Sequence, residues 1–534
     1  MKPDLSGLSE LEINLATRVS VGDALTRSAR MFGERAAVVD RGDSVTYRDL
    51  DAAAESVGRA LLDAGLERQQ PVAMLMGNSW QFLSTYFGCA KAGLVAMPVN
   101  LVLAPEDIVW ILRDSGTTTI VTDAAFVPLI EKILPALDAV TIVVVSGEGA
   151  PAEIAGRPVL SWTEIASRAV DRPLEVLVDD RDTAQCLYTS GTTSRPKGVL
   201  TSHTSLMVGG LTNALMQGAG WGSEPTVLLN VLPLFHTTGL NTLVMPTLFI
   251  GGTVVLPGPF DPGAVLDAIE AQRVTTVMML PIMYAAALAA QGQRARDLSS
   301  VQLAIYAMAP MPATLLAQVD AAFPNASVIL GSGQTEVVPA TVLQWPEHRA
   351  TKPDSWGPAV PTVEVGIMSD GELEATGEEG EIVYRGPHVC SGYWNNADAN
   401  TAAFAHGWFH SGDVGYLDAE QVVWFTDRLK DIIKSGGENV SSVEVERIVA
   451  AVPGVVECSV VGLPDERWGE AVTAVVVASD RSVSDAELEA AVIAYAKANL
   501  AGFKVPKRVL VVDELPKTAT GKARKHELRA TLRA

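Results

Sequence analysis

The chain has 534 residues, of which 48% are hydrophobic and 19% are charged, a globular balance that excludes a disordered or coiled-coil protein. Its length predicts several domains. The formal net charge of −22 excludes a general nucleic-acid-binding surface, because such a surface needs an excess of Lys and Arg to neutralise phosphates.

Short β-branched runs alternate with helical segments over the first two thirds of the chain. The runs Val72–Met76, Thr118–Val121 and Val140–Val145 are bounded by turn-forming residues, while Tyr47–Ala64 is typical of a helix. This alternation predicts an α/β fold with mostly parallel, buried strands. From about residue 362 to 427, short strands with frequent glycine predict a small β-rich subdomain.

The C-terminal part predicts a separate small α+β domain. Beyond Asp427 a charged connector leads into predicted helices at Ser442–Ala451 and 484–499, and predicted strands at 455–461, 471–478 and 508–512. Residues 504–533 contain nine Lys or Arg. This basic run is interpreted either as a solvated helical face or as a surface for an anionic ligand.

The cysteines and the N-terminus bear on where the protein works. The cysteines are Cys89, Cys186, Cys390 and Cys458, and no two of them lie close together in the sequence. This spacing predicts buried thiols in a reducing compartment rather than a zinc site or a disulfide framework. The N-terminus has no basic segment followed by an apolar one, and Leu240–Leu256 is interrupted by polar residues, Pro and Gly. We expect a cytoplasmic protein without a membrane span.

A loop rich in hydroxyl groups follows the strand-like run Ala184–Leu187. Tyr188–Gly198 holds five Ser or Thr, two Gly and Lys197. Hydroxyls, exposed amides and an ammonium are the groups that bind a polyphosphate. Pro196 stands where the common P-loop requires a glycine before the lysine, so this is a different loop. Taken alone, such a segment is more often only a loop.

The complete segment resembles the signature of the adenylate-forming (AMP-binding) superfamily, which includes acyl-CoA synthetases, luciferases and peptide-synthetase adenylation domains. Further segments resemble that family in the same order and extend the resemblance over nearly the whole chain. They are Leu232–Gly239, Gly333–Glu336, Gly407–Asp413, Asp427–Asn439 and Leu515–Lys522.

The resemblance implies an acyl-CoA ligase that uses ATP, Mg²⁺ and CoA and proceeds through an acyl-adenylate. It implies that Glu336 holds Mg²⁺, that Asp413 binds the ribose and that Lys522 neutralises charge at the reacting phosphate. The implied catalytic residues are Lys522, Glu336, Thr335, His236 and Lys197. The implied nucleotide-binding residues are Thr189, Ser190, Gly191, Thr192, Thr193, Gly333, Gln334, Thr335, Asp413, Arg428 and Lys522.

The resemblance also implies a domain plan and two further groups of site residues. The plan is an N-terminal domain at 1–427, whose β-rich subdomain occupies about 362–427, a hinge at 428–431 and a mobile C-terminal lid at 432–534. The acyl pocket is expected to contain His236, Ala307, Met308, Gly331 and Ser332. The CoA and hinge residues are expected to be Lys430, Ser435, Gly436 and Gly437.

Three departures from the family pattern fall on the nucleotide site. Ser194 replaces a usual glycine, Ala307 and Met308 replace a usual pair of glycines, and Ser332 replaces a usual aromatic ring. One interpretation is a ligase whose pocket is reshaped for a bulky acid. The other is a half-reaction enzyme that takes a pre-formed acyl-adenylate from a partner adenylating enzyme and only transfers it to CoA.

Other functions and the identity of the acid stay open at this stage. An enzyme that loads a carrier protein is an alternative, although His236 stands where peptide-synthetase domains generally have an Asp. A luciferase-like oxidation and a non-enzymatic nucleotide binder are further alternatives. Small residues hint at a roomy pocket for a medium-chain or polycyclic acid; these are Gly209, Gly210, Gly331 and Gly333. The oligomeric state is not readable.

Overall fold

The computed structural model describes residues 5, 7–168, 172–189, 195–219, 224–307, 311–479, 484–517 and 523–532. The helices are α1 Glu10–Thr17, α2 Val21–Phe32, α3 Tyr47–Asp63, α4 Trp80–Lys91, α5 Pro105–Asp114, α6 Val127–Ile133, α7 Trp162–Ala166, α8 His203–Met216, α9 Met245–Phe249, α10 Pro262–Gln272, α11 Pro281–Gln293, α12 Ala313–Ala322, α13 Pro346–Thr351, α14 Ala397–Ala403, α15 Ser442–Ala450, α16 Asp485–Asn499 and α17 Lys525–Leu532. A π-helical segment, Thr238–Val244, precedes α9.

The strands follow the same chain order. They are β1 Ala36–Asp40, β2 Asp43–Thr46, β3 Pro71–Leu75, β4 Val95–Pro98, β5 Thr119–Asp123, β6 Ile142–Ser146, β7 Glu153–Ile154, β8 Arg157–Ser161, β9 Thr183–Thr189, β10 Lys197–Ser202, β11 Val227–Leu229, β12 Thr253–Leu256, β13 Thr276–Met279, β14 Leu303–Tyr306, β15 Ser327–Gln334, β16 Val337–Gln344, β17 Gly357–Pro358, β18 Glu364–Ser369, β19 Glu372–Leu373, β20 Gly380–Arg385, β21 Gly392–Tyr393, β22 Phe409–Leu417, β23 Val422–Arg428, β24 Ile433–Ser435, β25 Glu438–Val440, β26 Val455–Asp465, β27 Gly469–Ala478 and β28 Arg508–Val512.

Two large sheets make up most of the N-terminal part. The first runs in the order β21-β10-β9-β4-β3-β5-β6-β8-β7, and the second in the order β16-β15-β14-β13-β11-β12-β1-β2. Their inner strands are parallel and their edge pairs antiparallel, for example β10 with β9 and β15 with β16. The predicted α/β fold with mostly parallel, buried strands is therefore confirmed.

A third and a fourth sheet follow in the chain. The third is antiparallel, in the order β17-β23-β22-β20-β18-β19, and corresponds to the predicted β-rich subdomain. The fourth contains β24 to β28 and packs with α15 and α16. It forms the small α+β domain that the sequence predicts, and the helix bounds differ from the expected ones by a single residue.

The buried apolar side chains separate the two parts of the chain. One core cluster extends from Val21 to Val423 and includes residues of the first three sheets. Another begins at Ile433, ends at Val509 and contains only residues of the C-terminal part. Because each part has its own apolar core, neither needs the other to bury its side chains.

Hydrogen bonds nevertheless cross the connection between these parts. The buried Asp427 carboxylate, at the end of β23, accepts from the backbone N and the hydroxyl of Ser442 at 2.5 and 2.7 Å. Lys525 donates to the same hydroxyl at 2.5 Å and pairs with Glu446 at 2.8 Å. The first turn of α15 and the first residue of α17 are thus attached to the last strand of the third sheet.

Across the described ranges, no helix combines the length and the apolar character needed to cross a bilayer.

Two glycines of α8 have a packing role rather than the pocket role suggested from the sequence. A Cβ at Gly209 would lie 2.6 Å from Val338 Cγ1, and one at Gly210 would lie 2.7 Å from Phe249 Cε2. The absence of side chains at these glycines therefore lets α8 approach β16 and α9 closely. Val338 and Phe249 fill the space that the side chains would occupy, so it is not pocket space. Gly333 is similar, since its Cβ would lie 2.6 Å from Pro339 Cβ.

Gly209→Ala should destabilise the N-terminal part by about 1–3 kcal/mol, because a β-branched neighbour cannot move aside cheaply. Gly292→Ala is the matched control, since Gly292 lies in α11 with nothing within 4 Å of its Cβ position. The Gly292→Ala change should raise the free energy of unfolding by up to about 1 kcal/mol. Thermal unfolding of both variants checks the prediction, and equal melting temperatures would contradict it.

Candidate active site

Several sequence-predicted segments meet at the carboxyl edge of the second sheet. Strands β11, β13, β14 and β15 are parallel, so their carboxyl ends lie along one edge. Tyr306 pairs with Leu330, which places the buried Ala307 beside Gly331. Leu232–Gly239 follows β11 at the same edge. In open α/β sheets, ligands bind at this edge.

The Leu232–Gly239 segment has a shape fixed by Asn78. The Asn78 side chain donates to the carbonyl of Leu232 and accepts from the backbone N of Leu234, both at 2.8 Å. The half-buried His236 accepts at Nδ1 from the backbone N of Thr238 at 3.2 Å, which puts the ring proton of a neutral His236 on Nε2.

A buried polar network connects this segment to the first sheet. Gln185, in β9, exchanges two hydrogen bonds with Asn241 of the π-helical segment, at 2.8 and 3.0 Å. Tyr86 donates to Gln185 at 2.9 Å, and Thr237 donates to Asn241 at 2.9 Å. Buried amides with all these partners specify one arrangement of the two sheets.

Thr335 and Glu336 form the tip of the β15–β16 hairpin. Gln334 pairs with Val337, so these two residues alone make the turn, and both are half-buried. Ser332 pairs with Val342 within the hairpin. The turn presents a hydroxyl and a carboxylate beside the sheet edge that carries Ala307 and Gly331.

The base of the predicted phosphate loop is the β9–β10 hairpin. Thr189 pairs with Lys197, and the Tyr188 hydroxyl donates to Asp114 Oδ2 at 2.7 Å. Lys197 is half-buried at the start of β10. The predicted residues between these ends, and two others, lie outside the described residues; they are Ser190, Gly191, Thr192, Thr193, Ser194, Met308 and Lys522.

A short run that the sequence interpretation missed joins this hairpin to the Glu336 turn. We refer to residues 389–394 as the bridge segment. In it, the backbone N of Cys390 donates to the carbonyl of Glu336 at 2.7 Å, and that of Trp394 donates to the carbonyl of Gly198 at 2.7 Å. The Tyr393 hydroxyl donates to Glu336 Oε1 at 3.1 Å, and Lys197 Nζ lies 4.9 Å from the Tyr393 ring centroid.

The predicted ribose-binding pair lies on adjacent strands of the third sheet. Asp413 in β22 is paired in register with Arg428 in β23, and Arg428 Nε lies 2.6 Å from Asp413 Oδ1. The Asp413 side chain is buried, whereas that of Arg428 is partly exposed. The backbone N of Val360, which follows β17 of the same sheet, donates to the carbonyl of Thr341 in β16 at 2.9 Å. The pair is thus held beside the hairpin that carries Glu336.

The predicted hinge and CoA residues belong to the C-terminal part. Arg428 ends β23, and the backbone N atoms of Asp431 and Ile432 both donate to its carbonyl, which closes a turn around Lys430. Desolvation, and next the charge of Arg428, lower the pKa of Lys430. The turn is the point where the chain leaves the third sheet.

The Ser435-Gly436-Gly437 stretch forms the β24–β25 hairpin. Gly436 and Gly437 have φ of 64° and 90°, the left-handed values that a two-residue hairpin turn requires. Gly436 N donates to the carbonyl of Trp468 at 2.7 Å, and Ser435 is buried. The glycines therefore serve the turn, and the described contacts of this hairpin run within the C-terminal part.

The basic C-terminal run is largely paired with acidic groups of its own domain. Its described ion pairs have N–O distances of 2.5 to 3.5 Å; they are Lys504–Glu444, Arg508–Asp465, Lys517–Glu457, Arg524–Glu527, Lys525–Glu446 and Arg529–Asp431. Lys507 donates to backbone carbonyls. These pairs weaken the interpretation of the run as an anion-binding surface.

Comparison with known proteins gives one consistent family. Residues 25–394 match the AMP-binding enzyme family, and residues 444–522 match the AMP-binding enzyme C-terminal domain. Feruloyl-CoA synthase of Amycolatopsis sp is 36% identical over 511 residues, which are 95% of this chain and 98% of that protein.

Solved structures agree with the sequence comparison. An anthranilate CoA ligase in complex with anthranoyl-AMP superposes with a TM-score of 0.87 at 28% identity, covering 97% of this chain and 98% of that one. The o-succinylbenzoate CoA synthetase of Bacillus subtilis, in complex with ATP and magnesium ion, gives 0.81 at 29% identity, covering 95% and 98%.

The β16 strand behind Glu336 is held by a buried histidine. His388 Nδ1 donates to the carbonyl of Val338 at 3.0 Å, and Nε2, 2.7 Å from the Thr362 hydroxyl, accepts from it. The carbonyl can only accept, which sets this tautomer. Burial lowers the pKa of His388 to about 4.

The free energy of unfolding should therefore fall as the pH drops from about 6.5 towards 4, because the unfolded chain binds a proton that the folded His388 excludes. The full contribution, about 3 kcal/mol at most, is present above pH 6.5. His388→Gln should flatten the pH dependence of stability in this window. His203, whose pKa burial lowers to about 4, remains in both proteins. Parallel curves for the two proteins would contradict the prediction.

Proposed function

The chain belongs to the AMP-binding enzyme family, and we propose that the residues gathered around Glu336 carry out both half-reactions of its chemistry on an aromatic carboxylic acid. The protein is an acid–thiol ligase that uses ATP, Mg²⁺ and CoA and forms a thioester through an acyl-adenylate. One observation carries the assignment of residues: Lys197, Tyr393 and Glu336 form a single contact cluster at the start of β10.

The first half-reaction needs positive charge and donors around the phosphates. The substrate carboxylate attacks the α-phosphorus, the new O–P bond forms, and the bond to pyrophosphate breaks. Negative charge gathers on the leaving oxygens, so Lys197, Thr335 and Lys522 would bind it. Most of the rate then comes from positioning the two reactants.

The Glu336 turn fits a magnesium site by its chemistry. Mg²⁺ prefers oxygen ligands, commonly one or two carboxylates together with substrate phosphates. Glu336 offers a half-buried carboxylate whose Oε1 is oriented by Tyr393. When bound, Mg²⁺ neutralises phosphate charge.

Asp413 and Arg428 would hold the ribose. A buried carboxylate is costly unless hydrogen-bond donors surround it. Arg428 compensates this charge as an ion pair, with Nε 2.6 Å from Oδ1, and the ribose hydroxyls would act as donors. The pair would thereby orient the α-phosphate towards the Thr335-Glu336 turn.

In the second half-reaction the CoA thiol attacks the acyl carbonyl. The C–S bond forms, the bond to the AMP oxygen breaks, and the thiol proton leaves to solvent. His236 would donate from Nε2 to the acyl oxygen, since its Nδ1 accepts from the Thr238 backbone N. The C-terminal domain would turn about Lys430 to bring the 435–437 hairpin to the site.

The domain boundaries proposed for this movement are 1–427, 428–431 and 432–534. The separate apolar core that begins at Ile433 supports them. The bonds of Asp427 to Ser442 cross the hinge, so rotation has to break or rearrange them.

The acid is proposed to be aromatic. The three relatives compared above are named for ferulate, anthranilate and o-succinylbenzoate. Among the small residues, Gly331 leaves ordinary spacing, with its Cβ position 3.6 Å from Ile305 Cγ2 and Leu343 Cδ2. A flat ring could lie against these apolar side chains beside Ala307. The comparisons do not favour the half-reaction or the carrier-loading alternative.

We also propose the reducing cytoplasm as the place of action. All four cysteines are free thiols, and Cys89, Cys186 and Cys390 are buried. Burial raises the pKa of each of these three thiols, which keeps them protonated and unreactive.

The proposed function predicts ATP–pyrophosphate exchange that depends on an aromatic acid. Glu336→Gln should lower the exchange rate by about 10²–10³-fold, because the loss of one well-placed electrostatic group has effects of this size. Glu438→Gln is the control, since Glu438 is exposed on β25. Exchange is measured with labelled pyrophosphate over a panel of aromatic acids.

Two results would contradict this prediction. Thioester formation from synthetic acyl-adenylate without any exchange would support the half-reaction alternative. Loss of both activities over the whole panel would leave only nucleotide binding.

Domain rotation predicts that a tether between the domains blocks the complete reaction. Arg447 of α15 lies 2.5 Å from Asp354, and both side chains are more than half exposed. A bismaleimide crosslink of the Asp354→Cys/Arg447→Cys variant should lower overall thioester formation at least about tenfold and spare one half-reaction.

The uncrosslinked double variant is the control, because an exposed ion pair contributes at most about 1 kcal/mol. A linker that can be cleaved should restore turnover. Full turnover in the crosslinked enzyme would contradict rotation about the hinge.

A further inference from the structure

We infer that Tyr393 is a positioning residue for adenylation, which holds the Glu336 carboxylate and the Lys197 ammonium in fixed places relative to each other. The inference rests on the proposed function, in which Glu336 binds the metal and Lys197 binds phosphate. Tyr393 belongs to none of the four groups of predicted site residues. Its role follows from the contacts of its backbone, its hydroxyl and its ring.

The backbone of Tyr393 is fixed on both sides. It pairs with Val199 of β10, two residues beyond Lys197. The Asn400 side chain accepts from the Tyr393 backbone N at 2.6 Å and donates to its carbonyl at 3.0 Å. Gly392 has φ of 137°, and a Cβ there would lie 3.0 Å from Asn400 Oδ1, so the close approach of Asn400 requires glycine. Tyr393 therefore starts from a rigid position.

The hydroxyl of Tyr393 orients one oxygen of Glu336. It donates to Oε1 at 3.1 Å, because a carboxylate oxygen can only accept. This bond leaves Oε2 to face a cation. Groups that orient a metal ligand in this way commonly change metal affinity or activity by 10–100-fold when they are removed.

The ring of Tyr393 provides a place for Lys197. The ammonium lies 4.9 Å from the ring centroid, within the range of a cation–π contact. A lysine and a glutamate that both contact one side chain would otherwise tend to pair directly and neutralise each other. The ring face attracts the ammonium without cancelling its charge, and the hydroxyl end binds the carboxylate. Both charges then remain for phosphate and metal.

Substitutions can separate these two contacts. Tyr393→Phe keeps the ring beside Lys197 and removes only the bond to Glu336. Tyr393→Leu removes both. Tyr47→Phe is the matched control, because the buried Tyr47 hydroxyl donates to the carbonyls of Leu248 and Gly252, at 3.2 and 2.6 Å, away from this cluster.

The test measures metal affinity and each half-reaction separately. Mn²⁺ binding is followed by electron paramagnetic resonance with ATP present and acid absent. Tyr393→Phe should weaken Mn²⁺ binding about tenfold and raise the Mg²⁺ concentration for half-maximal pyrophosphate exchange by a similar factor. Thioester formation from synthetic acyl-adenylate should change less than about twofold. Tyr47→Phe should leave all three values unchanged in the folded enzyme.

The outcomes separate this inference from the proposed function. Wild-type Mn²⁺ affinity in Tyr393→Phe, or equal loss of both half-reactions, would overturn the positioning role. If the Glu336→Gln variant binds Mn²⁺ with the affinity of the wild type, the proposed role of Glu336 is overturned instead. If Glu336→Gln weakens Mn²⁺ binding and Tyr393→Phe leaves it unchanged, only the Tyr393 inference is rejected.

Discussion

The site depends on the hydrogen bonds of one short stretch of backbone, the bridge segment 389–394. It bonds to the carbonyls of Leu200 and Gly198 in the first sheet and to that of Glu336 at the edge of the second. These bonds connect the backbone of the β9–β10 hairpin directly to that of the Glu336 turn, although the two belong to different sheets. Electrostatic catalysis needs its charges in place before the reaction. If Lys197 and Glu336 act as proposed, the bridge segment therefore serves catalysis as well as the fold.

The C-terminal part is constrained differently. It has its own apolar core, and it is attached to the third sheet through polar groups, chiefly Asp427, Ser442 and Lys525. Polar contacts can be exchanged for water at modest net cost, whereas a shared apolar core cannot be opened cheaply. An N-terminal part with a shared apolar core, joined to the C-terminal part by polar contacts that can be broken, suits a reaction in which pyrophosphate must leave before a thiol enters.

Much of this architecture could be predicted because the signals are local. The runs at 72–76 and 140–145 correspond to strands Pro71–Leu75 and Ile142–Ser146, shifted by one or two residues, and the helix predicted at Tyr47–Ala64 ends one residue earlier. The site motifs could be matched because each is a contiguous run of residues. Their roles, and the exact domain boundaries, stay predictions.

The features that sequence reasoning missed depend on contacts between distant segments. Tyr393 lies in an ordinary Gly-Tyr-Trp run, and only the pairing of β21 with β10 brings it to Lys197 and Glu336. Gly209 and Gly210 suggested pocket space, yet Val338 and Phe249 already fill the positions of their missing side chains. The sequence alone does not show whether a glycine leaves an open space or allows a neighbouring element to pack closely.

The most direct measurement follows oxygen from acid to nucleotide. An aromatic acid that yields a thioester is labelled with ¹⁸O in its carboxyl group and incubated with enzyme, ATP, Mg²⁺ and CoA. Attack on the α-phosphorus followed by thiol attack on the carbonyl must leave one labelled oxygen in AMP, and mass spectrometry should find it there. Unlabelled AMP, or label in inorganic phosphate with ADP as the product, would contradict the acyl-adenylate route.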